Sequence, residues 1–314
     1  MVLISDAQTA WNLLKGVVCI YKPVGVKVHT LRKMFIGNLS RDLCELECRP
    51  PVNHVFIEGS TTAPLNVYAA PSYADHPLVV GPRYQPQDFR CNWGSPLGKN
   101  VSGVFLLGLN GGSRTVINMH TQRTMRGFRV KGLLGKASEN YFISGKVMEK
   151  ATFDHITRIK LDEIVRSMLI VHQKQMVTQS GVDKQSQTST NLVKQGIIKP
   201  TNSKVPILYS MKIKNNQIDR WIIEVQCINE NEMYLRELIH AIGMKARSCA
   251  TCTGIQCIRY DFFTLEHALL RKHWQLQYIL QNMAQCQQLL EKTAKRERQK
   301  LPTFKLYEEM AASN

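Results

Sequence analysis

The run Gly103-Val-Phe-Leu-Leu-Gly108 constrains the fold more than any other part of this chain. Four consecutive apolar residues bracketed by glycines are strand-sized, and such a run reads as a buried strand. The loop Leu97–Ser102 feeds into it. A second run of the same kind, Gly16-Val-Val-Cys-Ile-Tyr-Lys22, is stopped by Pro23 and Gly25. Phe128–Leu134 alternates Phe128, Val130, Gly132 and Leu134 against Arg129, Lys131 and Leu133, the period of a strand. Ile207–Ile213 and Trp221–Ile228 read as paired strands around Asn215-Asn216, and Ile255–Arg259 as a further strand.

Helical spacing appears at Leu161, Ile164, Val165, Met168 and Leu169, and again at Leu235, Leu238, Ile239 and Ile242, where Gly243 is expected to end the helix. Leu265–Ile279 starts helical. Pro50–Pro86 reads as loops with short strands, and Met176–Lys199 as a loop or insertion without a period. Strands and helices interleave irregularly, with no βαβ rhythm and no GxGxxG turn, which favours an α+β fold over a doubly wound sheet. Three segments are expected: an N-terminal extension over 1–15, a core over 16–280, and a basic, polar, helical tail over 281–314.

Charge narrows the function classes. Against 24 Asp+Glu stand 41 Lys+Arg, a formal +17, and such an excess attracts polyanions, of which nucleic acid is the commonest. No stretch approaches the ~20 apolar residues of a membrane span, so no membrane partner is expected. Residues 1–15 lack a secretory signal and make a poor transit peptide, with Asp6 and no cation before Lys15. The nine cysteines are odd in number and scattered, which suggests reduced thiols. Cys249-Ala-Thr-Cys252, with Cys257 following, has half of a zinc spacing and no second half nearby, so buried thiols are expected and no metal.

Four segments could carry chemistry. Lys22-Pro23-Val24-Gly25 is a strand end and turn. Leu97–Gly108 is a loop entering a buried strand. Arg126-Gly127-Phe128-Arg129 sets an aromatic ring on a strand among cations; it either stacks a base while the arginines hold phosphates, or is a core Phe beside two surface arginines. Tyr234-Leu235-Arg236 at a helix start offers a fixed donor aimed into a cleft, or a surface Arg. In this order, the four resemble the TruB family of RNA pseudouridine synthases, and the branch most similar to this chain is that of the mitochondrial TruB-like proteins of animals. The resemblance runs from about Gly16 to Arg271. It includes His76-Pro-Leu-Val-Val-Gly-Pro82, Lys131-Gly-Leu-Leu-Gly-Lys-Ala137, Thr152-Phe-Asp-His-Ile-Thr-Arg158 and Asp261-Phe-Phe-Thr264.

The resemblance implies a pseudouridine synthase fold: a long mixed, mostly antiparallel sheet bent around a central cleft, with flanking helices. It implies an RNA partner (transfer, messenger or ribosomal), a monomer, no cofactor and no metal, and a mitochondrial matrix location, with cytoplasm and nucleus left open. It implies a uridine flipped into the cleft, detached from its ribose and rejoined through carbon 5. Residue by residue, Arg236 and Tyr234 take the family's Arg and Tyr, Phe128 its stacking ring, Ile255 its apolar contact to the base, and Lys22 its motif lysine, with Arg126 and Arg129 as further RNA contacts. The family's catalytic Asp falls on Gly98. No Asp or Glu lies between Asp88 and Glu139, so Arg236 is expected to face no carboxylate unless Asp88 or Asp75 enters the cleft.

Three readings compete. The first is a working pseudouridine synthase, which requires a carboxylate near Arg236. The second is a catalytically inactive RNA-binding protein on the same scaffold, which accounts for the charge and Gly98 together. The third is a protein scaffold without RNA, for which Arg126, Arg129 and Arg236 around one cleft would be unexpected.

Overall fold

The computed structural model describes residues 5–47, 52–60, 62–73, 76–180, 205–215 and 217–300. Its centre is an eight-stranded sheet in the order β1 (Gly16–Lys22), β5 (Val101–Leu109), β11 (Ala250–Tyr260), β6 (Arg126–Leu134), β10 (Arg220–Ile228), β9 (Ile207–Ile213). The short β4 (Cys91–Trp93) pairs with β5, and β12 (Phe263–Thr264) with β11. Within this sheet β5–β11 is parallel, while β1–β5, β11–β6, β6–β10 and β10–β9 are antiparallel. The α+β class and the mixed, mostly antiparallel sheet are therefore as the sequence implied. Two small hairpins stand apart: β2 (Asn53–Glu58) with β3 (Asn66–Pro71), and β7 (Lys136–Ser138) with β8 (Val147–Lys150).

The apolar run that opened the chain's reading is the sheet's most covered strand: all nine residues of β5 are buried. It needs cover on both faces, because consecutive side chains of a strand point to opposite sides. Helix α2 (Val28–Glu45) buries Leu31, Phe35, Leu39 and Leu43, a three-to-four-residue spacing that makes one apolar face. The short α3 (Pro77–Val80) follows the first hairpin, and α4 (Ser113–Thr121) packs Val116 and Met119 beside β5. Helix α5 (Arg158–Ser180) lies on β9, α6 (Glu232–Lys245) on β11, and α7 (Leu276–Lys300) on β1.

Several boundaries differ from expectation for physical reasons. Helix α6 passes through Gly243 and ends at Lys245. Gly243 is there for close packing: a Cβ would lie 2.5 Å from the Ala250 nitrogen. The helix expected from Leu265 is two separate turns, Leu265–His267 and Arg271–His273, before α7 begins at Leu276. The core continues past residue 280, since Asn282, Met283 and Cys286 are buried and the Asn282 side chain accepts from the Cys19 backbone N–H at 2.9 Å. At the other end α1 (Ala7–Leu13) is capped by Asp6 and buries Ala7 and Ala10, so part of the 1–15 extension packs into the core. Met176 begins the last part of α5; residues 181–199 of the expected insertion, and 301–314 of the tail, lie outside the described residues. Cys249, Cys252 and Cys257 are buried thiols, and burial pushes the latter two up to about 12. Among the described residues no helix is long and apolar enough to cross a membrane. No group of three or more His, Cys, Asp or Glu among them is placed to hold a metal.

Candidate active site

The loop before β5 is held from below. Lys22, at the end of β1, is fully buried, and its Nζ donates to the Val101 carbonyl at 2.7 Å, the Pro23 carbonyl at 3.2 Å and the Lys99 carbonyl at 3.3 Å. The Gly25 N–H also donates to the Lys99 carbonyl at 2.9 Å. Burial pulls the Lys22 ammonium down to about 8, against the opposing pull of nearby Glu232. Lys22, a strand-end and turn residue that was also grouped with the RNA contacts, is here the post that fixes the loop.

Gly98 sits on that loop, and its glycine has a steric cause. A Cβ built there would overlap Oε2 of Glu232, and would lie 2.7 Å from both Cβ and Cδ of the same side chain. Glu232 enters from the first turn of α6, whose N-cap Asn231 accepts from the Tyr234 N–H at 2.7 Å. Its Oε1 accepts from Nη2 of Arg236, one helical turn on, and from Nδ2 of Asn100 at 3.0 Å. Its Oε2 faces the Asn100 backbone N–H at 3.3 Å. Arg236 is completed by Nη1 donating to the Asn140 carbonyl at 3.4 Å and by the Phe142 ring, 4.6 Å below its guanidinium. The expectation that Arg236 faces no carboxylate is thus overturned, and the acid comes from neither candidate named for it. Asp88 caps a turn by accepting from the Gln85 N–H at 2.8 Å, and Asp75 lies outside the described residues.

Gly98 and Glu232 both line a cavity of about 580 Å³, with Ser95, His120, Arg123 and Arg126 on its other walls. This is the size of a small-molecule site. Ser95 Oγ lies 3.0 Å from Nδ1 of His120 and 3.3 Å from the Tyr260 hydroxyl.

The Arg-Gly-Phe-Arg segment is split by the pleat of β6. Arg126 and Phe128 point to the buried side and Arg129 to the other. Phe128 is 2% exposed and Ile255 is 2% exposed, so both lie in the core and neither is open to a base here. Arg126 covers the Phe128 ring at 5.5 Å and pairs with buried Glu230, Nε to Oε1 at 2.5 Å. Burial raises the Glu230 carboxyl, and Arg126 opposes the rise without cancelling it. Arg129 is half-exposed and pairs with Glu224 at 2.8 Å, a contact Glu224 shares with Lys214 at 3.2 Å. Burial works to raise Glu224, but these two partners outweigh it and the carboxyl ends below its ordinary value. The Tyr234 hydroxyl is buried without a hydrogen-bond partner among the described residues. Burial pushes it up, and Cys227 and Glu230 nearby add to the shift. The Tyr234 hydroxyl thus makes no hydrogen bond to the Glu232–Arg236 pair and feels the charge of Glu230.

The sequence reading missed Glu232, Glu230 and Asn100. Glu232 had a signal, since an acid four residues ahead of an Arg on a helix is a natural ion pair. Glu230 had none before the fold placed it under Arg126.

Residues 90–234 match the family described as TruB family pseudouridylate synthase, N-terminal domain, and the chain belongs to that family. It is 35% identical over 287 residues to the mitochondrial pseudouridylate synthase TRUB2 of Xenopus tropicalis, covering 89% of this chain and 88% of that protein. To the protein of the same description from Homo sapiens it is 34% identical over 270 residues, 84% and 81% of the two chains. Among solved structures, the archaeal box H/ACA sRNP Nop10-Cbf5 complex aligns at a TM-score of 0.46 and 14% identity, over 88% of this chain and 60% of that one.

Proposed function

We propose that this protein is an active RNA pseudouridine synthase that works in the mitochondrial matrix on a uridine flipped out of its RNA. One observation carries the reading: a carboxylate, Glu232, is ion-paired with Arg236 on the wall of a cavity, beside the loop position where the family's acid is expected. A carboxylate fixed in this way can act on a ribose, while the arginine holds it in place. The formal charge of +17 supports an RNA partner, and the description of its relatives as mitochondrial supports the organelle, within which the matrix is our proposal. The reaction is an isomerisation, so it consumes no cofactor. The catalytic unit takes in α1 and the first turns of α7, whose Asn282, Met283 and Cys286 are buried in the core, and the basic residues further along the chain add RNA contacts.

A second reading, RNA binding without catalysis, is favoured by Gly98 alone. Both are tested by incubating excess protein with a transfer-RNA stem-loop and with longer transcripts, followed by mass spectrometry of the nucleosides. Pseudouridine that appears with the wild type and vanishes with Arg236→Ala supports the first. Salt-sensitive binding with no pseudouridine under any condition supports the second.

A further inference from the structure

We infer that Glu232 is the catalytic carboxylate of this protein, delivered by helix α6 instead of by the loop before β5, and that Gly98 is the vacancy that admits it. The inference rests on the pseudouridine synthase reading above and names the residue that reading leaves open. Three observations meet at one point. The Glu232 carboxylate occupies the space in which a side chain at position 98 would begin. It is held by Arg236, by the Asn100 side chain and by the Asn100 backbone N–H. Both Glu230 and Glu232 line the cavity, but Glu232 keeps 15% of its side-chain surface exposed where Glu230 keeps 1%.

The support around it is specific. Asn100 belongs to the loop that Lys22 pins through its Lys99 and Val101 carbonyls. The loop that has lost an acid therefore still positions one. The first helical turn is also where a negative side chain is electrostatically favoured. A surface ion pair at this spacing would bring neither the loop donors nor the missing Cβ.

The step assigned to Glu232 balances as follows. A carboxylate oxygen attacks C1′ of the uridine ribose, and the C1′–N1 bond breaks with its electron pair left on the uracil. The base turns, C5 bonds to C1′, and the C1′–carboxylate bond breaks with its pair returned to the oxygen. The C5 proton passes to solvent and N1 takes one up, so the product is an isomer of the substrate.

The test is a reciprocal exchange. Single-turnover pseudouridine formation and RNA affinity are measured for the wild type, Glu232→Gln, Gly98→Asp and the double variant Gly98→Asp/Glu232→Ala. Glu232→Gln is expected to lose about 10³-fold or more in rate while binding RNA within a few-fold of wild type. Gly98→Asp alone is expected to lose activity as well, because its Cβ and the Glu232 carboxylate claim one position. The double variant removes that conflict and returns an acid to Arg236, and is expected to exceed Glu232→Gln by at least tenfold. It also controls for folding, since the ion pair is re-formed from the other side. Glu232→Gln retaining a rate within threefold of wild type, while Arg236→Ala abolishes it, would overturn the inference and leave the proposed activity standing. A wild type that binds RNA and makes no pseudouridine overturns both.

Discussion

Two arginine–glutamate pairs flank Asn231, and they differ in what surrounds the acid. Glu230 beneath Arg126 is closed off, with side-chain exposures of 7% for the arginine and 1% for the glutamate. Glu232 beside Arg236 has exposures of 10% and 15% and two further donors from Asn100, although Glu230, Arg126 and Glu232 all line the same cavity. One turn of chain thus supplies a sealed pair and an open one. In the more buried pair the desolvation cost is repaid by geometry or not at all. An open pair with a fixed carboxylate can meet a substrate.

The contrast is broken most strongly by removing the cations. Arg126→Met leaves Glu230 buried without a partner and is expected to cost about 3–5 kcal/mol in urea denaturation. Arg236→Met is expected to cost about 1–3 kcal/mol, because Asn100 still serves Glu232. Replacing the sealed pair altogether, Arg126→Met with Glu230→Leu, should recover most of the loss. Equal losses for the two single variants would erase the distinction.

A smaller effect lies in the pH dependence of stability. The folded Glu230 carboxyl is raised above its ordinary value by burial. Its stabilising contribution is fully present below the ordinary carboxylate range and is lost as pH rises through the raised value. Wild type should therefore lose stability relative to Glu230→Gln as pH climbs from the ordinary carboxylate range towards neutrality. A flat difference between the two urea midpoints over that range would remove Glu230 from the sealed category. The least effect belongs to Arg129→Ala. Its pair with Glu224 is half-exposed, so the expected loss is below about 1 kcal/mol and shrinks further in high salt.

Much of the fold was legible because its apolar runs are short, dense and bounded by glycine or proline. β5 was visible in Gly103–Gly108, and β9–β10 in two runs around Asn215. Pairing order was less visible: β11 sits between β5 and β6, and nothing local in Ala250–Tyr260 says so. In the site, Arg236 was readable from its motif. Its acid was sought near residue 98, whereas it enters from a helix 132 residues beyond Asn100 in the chain. The cations of β6 were grouped as neighbours in sequence, although strand alternation sends Arg126 and Arg129 to opposite sides. That separation needed only the period of two; the burial of Phe128 and Ile255 needed the helices above them.

The place of β11 has a consequence for how the protein is made. A nascent chain that has emerged only as far as Lys245 holds two unjoined half-sheets, β1 with β5 and β6 with β10 and β9. β5, every residue of which ends up buried, is then paired by β4 at Leu107–Leu109 but leaves its Val101–Gly103 end, the part that β11 takes, as an open edge. Such an edge is an invitation to wrong partners. Synthesis must run through β11 to Tyr260 before the halves close, so a polypeptide cut short before Ala250 is a candidate for clumping and degradation, not a smaller working protein.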